Sequence, residues 1–199
     1  MSTYIIAVTG ASGAPYTYRL LQVLIKEGHS LYVSISGDGL SILGDETSLH
    51  LKGSETDIQF EITKHFGAKA GQIMYFDEDN MRASIASGST IVDAMVVIPC
   101  SMKALAAISN GFASNLIERA ADVTLKEKRK LIIVPRETPL SAIHLRNMLT
   151  LAGLGCHIIP PMPAFYHHPK TIADLVDFIV GRVLNCLEIE NDLAPKWGI

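Results

Sequence analysis

The chain has 199 residues, a formal net charge of -3 and a hydrophobic content of 48%. This length and composition predict a single domain with a sizeable core. No basic block is long enough to follow a nucleic-acid backbone, and no apolar run is long enough to span a bilayer. The sequence therefore argues against nucleic acid and against a membrane as partners.

The three cysteines, Cys100, Cys156 and Cys186, are widely spaced and odd in number. This pattern argues against a disulfide framework or a zinc site, and it predicts a reducing, cytoplasmic environment. The first residues have no cationic segment before an apolar run, so they do not resemble a signal peptide. The mean hydropathy of +0.27 is high, which suggests that other subunits cover apolar surface, although a large core is the simpler explanation.

Short apolar runs and longer amphipathic segments alternate along the chain. The predicted strands are residues 4–9, 31–35, 72–76, 94–99, 131–134 and 157–159. The predicted helices are 15–27, 41–51, 103–110, 114–127, 140–152 and 172–187, while 57–66 is ambiguous and 36–39 is expected to be a loop. This alternation predicts an α/β fold with a doubly wound, mostly parallel sheet flanked by helices. Residues 1–187 are expected to form one domain, followed by a tail at 188–199 that contains Trp197.

The first predicted strand ends in the turn Gly10-Ala11-Ser12-Gly13, which opens a helix. The main-chain N–H groups of such a turn, together with the helix dipole, suit a phosphate or another anion. The turn lacks the full G-x-G-x-x-G pattern and the Gly-Lys-Ser/Thr ending of a Walker loop, so a dinucleotide and ATP are not indicated. A plain strand-to-helix connection is an equally good interpretation.

Charged and hydroxyl side chains follow other predicted strands. Arg136 and Glu137 come directly after the buried run 131–134, while Ser36 and Ser101 end two further strands. Ligands of open α/β sheets bind beyond the carboxyl ends of the strands, which is where these residues are expected. Each of them could equally be a turn or cap residue, and Ser101 is a candidate helix cap.

Metal ligation is not indicated by the acidic or histidine-rich segments. The loop Asp77-Glu78-Asp79 could suggest magnesium, but solvated acidic loops are far commoner, and the chain has no helical Asp-Asp-x-x-Asp motif. His167 and His168 are adjacent in an extended, proline-rich segment, so their side chains are expected to diverge. We therefore expect no metal site.

Several motifs between residue 4 and about residue 187 occur together. They are Val8-Thr9-Gly10-Ala11-Ser12-Gly13-Ala14, Ser87-Gly88-Ser89, Ile98-Pro99-Cys100-Ser101-Met102-Lys103, Arg119-Ala120-Ala121-Asp122-Val123, Lys126-Glu127, Pro135-Arg136-Glu137-Thr138-Pro139-Leu140, Pro160-Pro161-Met162-Pro163-Ala164-Phe165-Tyr166-His167 and Gly181-Arg182-Val183-Leu184. With them the sequence resembles the UbiX family of flavin prenyltransferases. It departs from the family pattern at Gly37-Asp38-Gly39, where Lys-Ala-Ala is commoner, and near Asn80-Met81, where some members have Trp.

The resemblance implies a Rossmann-like flavoprotein fold and a metal-independent enzyme. That enzyme would join a dimethylallyl group from dimethylallyl phosphate to N5 and C6 of reduced FMN, and a UbiD-type decarboxylase would receive the prenylated FMN. The resemblance also implies a homo-oligomer, typically a dodecamer, in which neighbouring subunits complete the prenyl site. It leaves open whether the donor is a monophosphate or a pyrophosphate. Two alternatives are an FMN-dependent cysteine decarboxylase of the same fold and a non-enzymatic FMN carrier.

The resemblance assigns expected roles to individual residues. Those that match FMN-binding positions are Gly10, Ala11, Ser12, Ser36, Ser87, Ser101, Met102, Lys103, Ala104 and Arg136. Those that match the surroundings of dimethylallyl phosphate are Arg119, Lys126, Glu137, Tyr166 and Arg182, with Glu137 expected to orient the cations. Ser12 and Glu46 match positions linked to proton handling, so the expected catalytic residues are Ser12, Glu46, Lys126 and Glu137.

Overall fold

The computed structural model describes residues 1–193, and its centre is a six-stranded parallel sheet. The strands are β1 (Thr3–Val8), β2 (Ser30–Ile35), β3 (Ile73–Asp77), β4 (Ala94–Cys100), β5 (Lys130–Pro135) and β6 (His157–Ile158). Their spatial order is β3-β2-β1-β4-β5-β6, which is the order of a Rossmann-type doubly wound fold. The predicted α/β fold with a parallel sheet is confirmed.

Helices cover both faces of the sheet, and each face has its own core. In the described residues the α-helices are α1 (Ala14–Lys26), α2 (Gly37–Glu46), α3 (Glu55–Phe66), α4 (Met102–Ser109), α5 (Leu116–Lys126), α6 (Ala142–Gly153) and α7 (Ile172–Cys186). Successive side chains of β1 point to opposite faces. Ile6 packs in the core formed with α1 and α7, while Ala7 packs in the core formed with α4, α5 and α6. Consequently α5 and α7 lie on opposite faces of the sheet.

The ends of β1 and β4 form the point at which the strand order reverses. The chain leaves β1 toward β2 and β3 on one side, and then continues into β4 on the other side. Open α/β sheets bind ligands in the crevice at such a point. Thr9 joins the two strand ends, because its Oγ1 donates to the Pro99 carbonyl at 3.0 Å and accepts the Ser101 N–H at 2.8 Å. The loops that follow β1 and β4 therefore start from a fixed base.

The segment between β2 and β3 differs from the sequence prediction. The expected loop at 36–39 is wrong: Ser36 Oγ accepts the Gly39 N–H at 3.1 Å, which starts α2 at Gly37. The ambiguous segment is helix α3, which begins with a capping box and has only two fully buried side chains, Ile58 and Ile62. This narrow apolar face explains why the helical periodicity was weak in the sequence.

The start of the predicted tail packs back onto the domain. Asn191 Nδ2 donates to Asn185 Oδ1 at 2.9 Å, and Glu188 forms an ion pair with Lys130. The last part of the tail, residues 194–199 with Trp197, lies outside the described residues. The division of the chain at residue 187 stays a prediction. Within residues 1–193, no helix is both long enough and apolar enough to cross a membrane.

Candidate active site

A cleft opens where the strand order reverses, between the loops after β1 and β4 and the N-termini of α2 and α5. It is lined by Thr9, Gly10, Ser36, Asp38, Glu78, Ser101, Lys103, Ala104, Asn115, Ile117 and Glu118. The lining includes Gly10, Ser36, Ser101, Lys103 and Ala104, which were predicted to bind FMN. Hydroxyl groups, a cation and helix N-termini suit a ligand with a polar, phosphorylated part.

Ser36 and Ser101 have a structural role in addition to lining the cleft. Ser36 Oγ caps α2, and Ser101 Oγ accepts the Ala104 N–H at 3.2 Å, which caps α4. The predicted cap at Ser101 is confirmed. Since each hydroxyl oxygen accepts from its own helix, its proton stays available to donate to a ligand.

The N-terminus of α1 is already occupied by a carboxylate. Glu46 Oε2 accepts the Gly13 and Ala14 N–H groups at 2.8 Å each, and Arg136 Nε donates to the Ser12 carbonyl at 2.9 Å. The anion at this turn is therefore the Glu46 carboxylate, which uses the Gly13 N–H, and the binding of FMN by the main chain of this turn stays a prediction. The structure does bring Ser12, Glu46 and Arg136 together.

Glu46 is held in its ionised form at neutral pH. Partial burial raises the pKa of its carboxyl, but hydrogen bonds from Ser12, Gly13 and Ala14 and the charge of Arg136 outweigh this effect, so the pKa lies below its ordinary value. A carboxylate at a helix N-terminus also interacts favourably with the helix dipole. In this state Glu46 can accept a proton but has none to donate.

Replacing Glu46 by glutamine should lower the thermal unfolding midpoint at neutral pH. The folded pKa lies below the unfolded one, so the stabilisation is present above about pH 4.5 and is lost as the pH falls through the folded value. The difference in midpoint between wild type and Glu46→Gln should therefore shrink as the pH falls below about 4.5. Thermal unfolding followed by circular dichroism across a pH series measures this difference in midpoint. The control is Glu61→Gln, because Glu61 is exposed. A difference that does not change with pH would contradict this account.

Sequence reasoning missed three carboxylates of the cleft: Asp38, Glu78 and Glu118. Glu78 Oε1 accepts the Gly37 N–H at 2.6 Å and its Oε2 accepts from Asn115 Nδ2 at 3.1 Å, so it joins the first turns of α2 and α5. Both partners are distant in sequence, so no local signal distinguishes Glu78 from a solvated acidic loop. Within residues 1–193, no group of three or more His, Cys, Asp or Glu residues could hold a metal ion.

The first set of predicted residues lies at the carboxyl edge of the sheet. We call this set the carboxyl-edge group: Gly10, Ala11, Ser12, Ser36, Glu46, Ser101, Met102, Lys103, Ala104, Arg136 and Glu137. Glu137 is exposed, and its Oε1 accepts the Thr138 N–H at 2.9 Å. Among the ion pairs of residues 1–193, none joins Glu137 to a cation. The expected orienting role of Glu137 is therefore not seen within one chain.

A second set, the α5 group, comprises Ser87, Arg119 and Lys126. Arg119 Nε donates to the Ala86 carbonyl at 3.1 Å, which holds the Ser87 loop against α5. Lys126 forms an ion pair with Glu127. The 11 residues of α5 run away from the cleft, so Lys126 lies about 15 Å along the helix from the end that borders the cleft.

A third set, the α7 group, comprises Tyr166 and Arg182. The Tyr166 ring packs edge-on against the ring of Phe178, with centroids 6.1 Å apart and an interplanar angle of 81°. Arg182 follows Phe178 by four residues, so both lie on one stripe of α7. The structure therefore places Tyr166 and Arg182 on the same side of this helix. Because α5 and α7 cover opposite faces of the sheet, one chain does not bring the α5 and α7 groups to a common point.

Comparison with known proteins identifies the family. The chain matches the family model described as Flavoprotein over residues 2–184. It is 48% identical over 193 residues to flavin prenyltransferase UbiX of Pseudomonas aeruginosa. The aligned region covers 97% of this chain and 92% of that protein. The chain belongs to the UbiX family of flavin prenyltransferases. Flavin prenyltransferase UbiX of Methanocaldococcus jannaschii is another member, 45% identical over 98% of this chain and 97% of its own length.

Solved structures of UbiX proteins have the same fold. AnUbiX in complex with FMN and dimethylallyl pyrophosphate matches with a TM-score of 0.88 and 37% identity over 100% of this chain and 98% of that one. A dodecameric FMN-dependent UbiX-like decarboxylase from Escherichia coli O157:H7 matches with a TM-score of 0.86 and 41% identity. The match covers 99% of this chain and 100% of that one. The predicted UbiX family, Rossmann-like flavoprotein fold and prenyltransferase class are confirmed.

Proposed function

We propose that this chain transfers the dimethylallyl group of dimethylallyl phosphate to N5 and C6 of reduced FMN. The observation that carries the proposal is its near full-length identity with flavin prenyltransferases, 48% over 97% of the chain. The AnUbiX structure, described as a complex with FMN and dimethylallyl pyrophosphate, adds support because its fold covers the whole chain. We assign the steps of the reaction to the carboxyl-edge, α5 and α7 groups as follows.

FMN would be held by the carboxyl-edge group. The lining of the cleft fits this ligand, because Ser36 and Ser101 offer hydroxyl protons, Lys103 offers a cation and the cleft carboxylates would accept hydrogen bonds from the ribityl hydroxyls. Bound in reduced form, FMN supplies the nucleophilic positions N5 and C6. Arg136, fixed to the Ser12 carbonyl, adds a second cation at the same edge.

The reaction needs charge stabilisation on the departing phosphate and an acceptor for a proton. Arg119, Lys126 and Arg182 are the proposed cations, and Tyr166 the hydroxyl donor, since guanidinium groups bind phosphate bidentately and ammonium groups act as point charges. The ionised Glu46, hydrogen-bonded to Ser12, is the proposed proton acceptor. On this assignment side chains stabilise the phosphate without a metal, and the phosphate would compete with Asp122 for Arg119 and with Glu127 for Lys126.

We further propose that the prenyl site is completed by neighbouring subunits. The α5 and α7 groups lie on opposite faces of one sheet, so a site that needs both must draw them from different chains. Helix α6 offers an apolar contact surface, because Ile143, Leu145 and Leu149 are 65%, 53% and 72% exposed. The E. coli relative is described as dodecameric, and a dodecamer is the proposed assembly here.

The product is proposed to pass to a UbiD-type decarboxylase in the cytoplasm, in keeping with three free cysteines. The cysteine decarboxylase alternative is not favoured. A PPC decarboxylase matches with only 18% identity and a TM-score of 0.56 over 81% of this chain, which reflects the shared fold alone. A passive FMN carrier would not need the cations and hydroxyl of the α5 and α7 groups.

The decisive experiment is an anaerobic incubation of the protein with reduced FMN and dimethylallyl phosphate. Mass spectrometry of the released flavin should detect FMN enlarged by one five-carbon unit, and the absorption spectrum should change with it. Parallel samples with the pyrophosphate donor decide which donor is used. Unmodified FMN with both donors would refute the proposal, and a control without protein excludes spontaneous alkylation.

A further inference from the structure

The two ring nitrogens of the half-buried His167 are shielded from solvent and have no hydrogen-bond partner within residues 1–193. The ring instead stacks on Phe178, with centroids 5.4 Å apart and an interplanar angle of 5°. The Tyr166 ring meets the His167 ring edge-on, with centroids 5.6 Å apart and an interplanar angle of 76°. Buried polar atoms without partners are rare, so this histidine requires a physical explanation.

Within residues 1–193, no carboxylate or carbonyl is hydrogen-bonded to the imidazole of His167. An acid–base or metal-binding imidazole normally has its second nitrogen fixed by a carboxylate or a carbonyl. The nearby carboxylate of Asp174 interacts electrostatically with His167 but is not hydrogen-bonded to it, and its Oδ2 accepts the Lys170 and Thr171 N–H groups at 2.7 and 2.9 Å. The contacts of His167 are with the aromatic rings of Phe178 and Tyr166. Stacked and edge-on contacts of this kind stabilise aromatic pairs.

We propose that His167 is a positioning residue that holds the Tyr166 ring beside Arg182. The His167 and Phe178 rings form a two-ring base, and Tyr166 stands edge-on to both. Phe178 lies one helical turn before Arg182 on α7, so this base fixes the hydroxyl donor and the cation relative to one another. The proposal rests on the proposed function, in which Tyr166 and Arg182 contact the phosphate of the prenyl donor.

A flat ring is required at position 167, whereas the ring nitrogens are not. His167→Phe should therefore keep the rate of prenyl transfer within about threefold of wild type, because it retains the stacking surface and removes only unpaired polar atoms. His167→Ala should lower kcat/KM for dimethylallyl phosphate about tenfold, since the loss of one aromatic contact is of that size. The FMN affinity should stay unchanged in both variants, because FMN binds at the carboxyl-edge group.

Steady-state kinetics with dimethylallyl phosphate, FMN titration and near-ultraviolet circular dichroism test the proposal. His168→Asn is the matched control, since His168 is exposed and has a φ of 53° that asparagine tolerates. Kinetic loss in His167→Phe equal to that in His167→Ala would overturn the proposal, because the nitrogens would then matter. A normal His167→Ala enzyme would overturn it as well.

The spectroscopic measurement separates this inference from the proposed function. An ordered Tyr166 should give a near-ultraviolet signal, identified as the part that Tyr166→Phe removes. That signal should persist in His167→Phe and disappear in His167→Ala, whether or not the protein prenylates FMN. Absence of prenyl transfer in the wild type would refute the proposed function, whereas a Tyr166 signal that survives in His167→Ala would refute the positioning role.

Discussion

Replacing Arg182 by alanine should slow single-turnover prenyl transfer by about 10²–10³-fold while FMN remains bound. The guanidinium is proposed to stabilise charge that develops on the departing phosphate, and a missing charged donor in a closed site has an effect of this size. Lys126→Ala should behave in the same way, because it removes the corresponding cation of the α5 group. Rapid-quench kinetics with reduced FMN already bound measure the transfer step, and flavin titration measures binding.

The control for both variants is Lys64→Ala, which removes an exposed cation on α3 outside all three groups. It should leave the rate unchanged, so that a loss in the other variants reflects position rather than total charge. Because the cations are proposed to act without a metal, EDTA should also leave the wild-type rate unchanged. A rate that EDTA abolishes and magnesium restores would contradict the proposed roles of Arg182 and Lys126.

The sequence predicted the elements whose signals are local. The run of apolar residues in β5 predicted a buried strand, and the structure places Arg136 at its carboxyl end, where the site was expected. Ser101 predicted a helix cap, because a serine after a strand and before an apolar helix is a strong local pattern. Local patterns succeeded here because the structural preference of the residues in each element agrees with the way that element packs in the fold.

The remaining features depend on contacts between distant parts of the chain. Glu46 looked like an ordinary charge in a helix, since its partners Gly13 and Ala14 come more than thirty residues earlier. Glu78 was interpreted as part of a solvated loop for the same reason. The opposite placement of α5 and α7 follows from the direction in which each crossover passes over the sheet, which no single segment specifies. Motif matching could therefore propose Lys126 and Arg182 as residues of one site without indicating that they lie apart in one chain.

Co-assembly of two inactive variants should restore activity if the site is shared between chains. In a mixed oligomer of Lys126→Ala and Arg182→Ala subunits, some sites receive Lys126 from an Arg182→Ala chain and Arg182 from a Lys126→Ala chain. Random assembly at equal amounts gives about a quarter of the sites both native residues, so about a quarter of the wild-type rate should return. Co-expression with two different affinity tags, followed by tandem purification, isolates the mixed oligomers for single-turnover measurement.

The matched control pairs Arg182→Ala with Tyr166→Phe. Both residues belong to the α7 group and stand on the same stripe of one chain through Phe178, so every site in this mixture lacks one of them and the rate should stay low. If the Lys126→Ala and Arg182→Ala mixture also stays inactive in verified mixed oligomers, the two cations must act from one chain. That result could be reconciled with the fold only if one helix moved around the sheet edge, because the sheet itself separates α5 from α7. Recovery in the first mixture alone would instead assign the α5 and α7 groups to different subunits of one phosphate site.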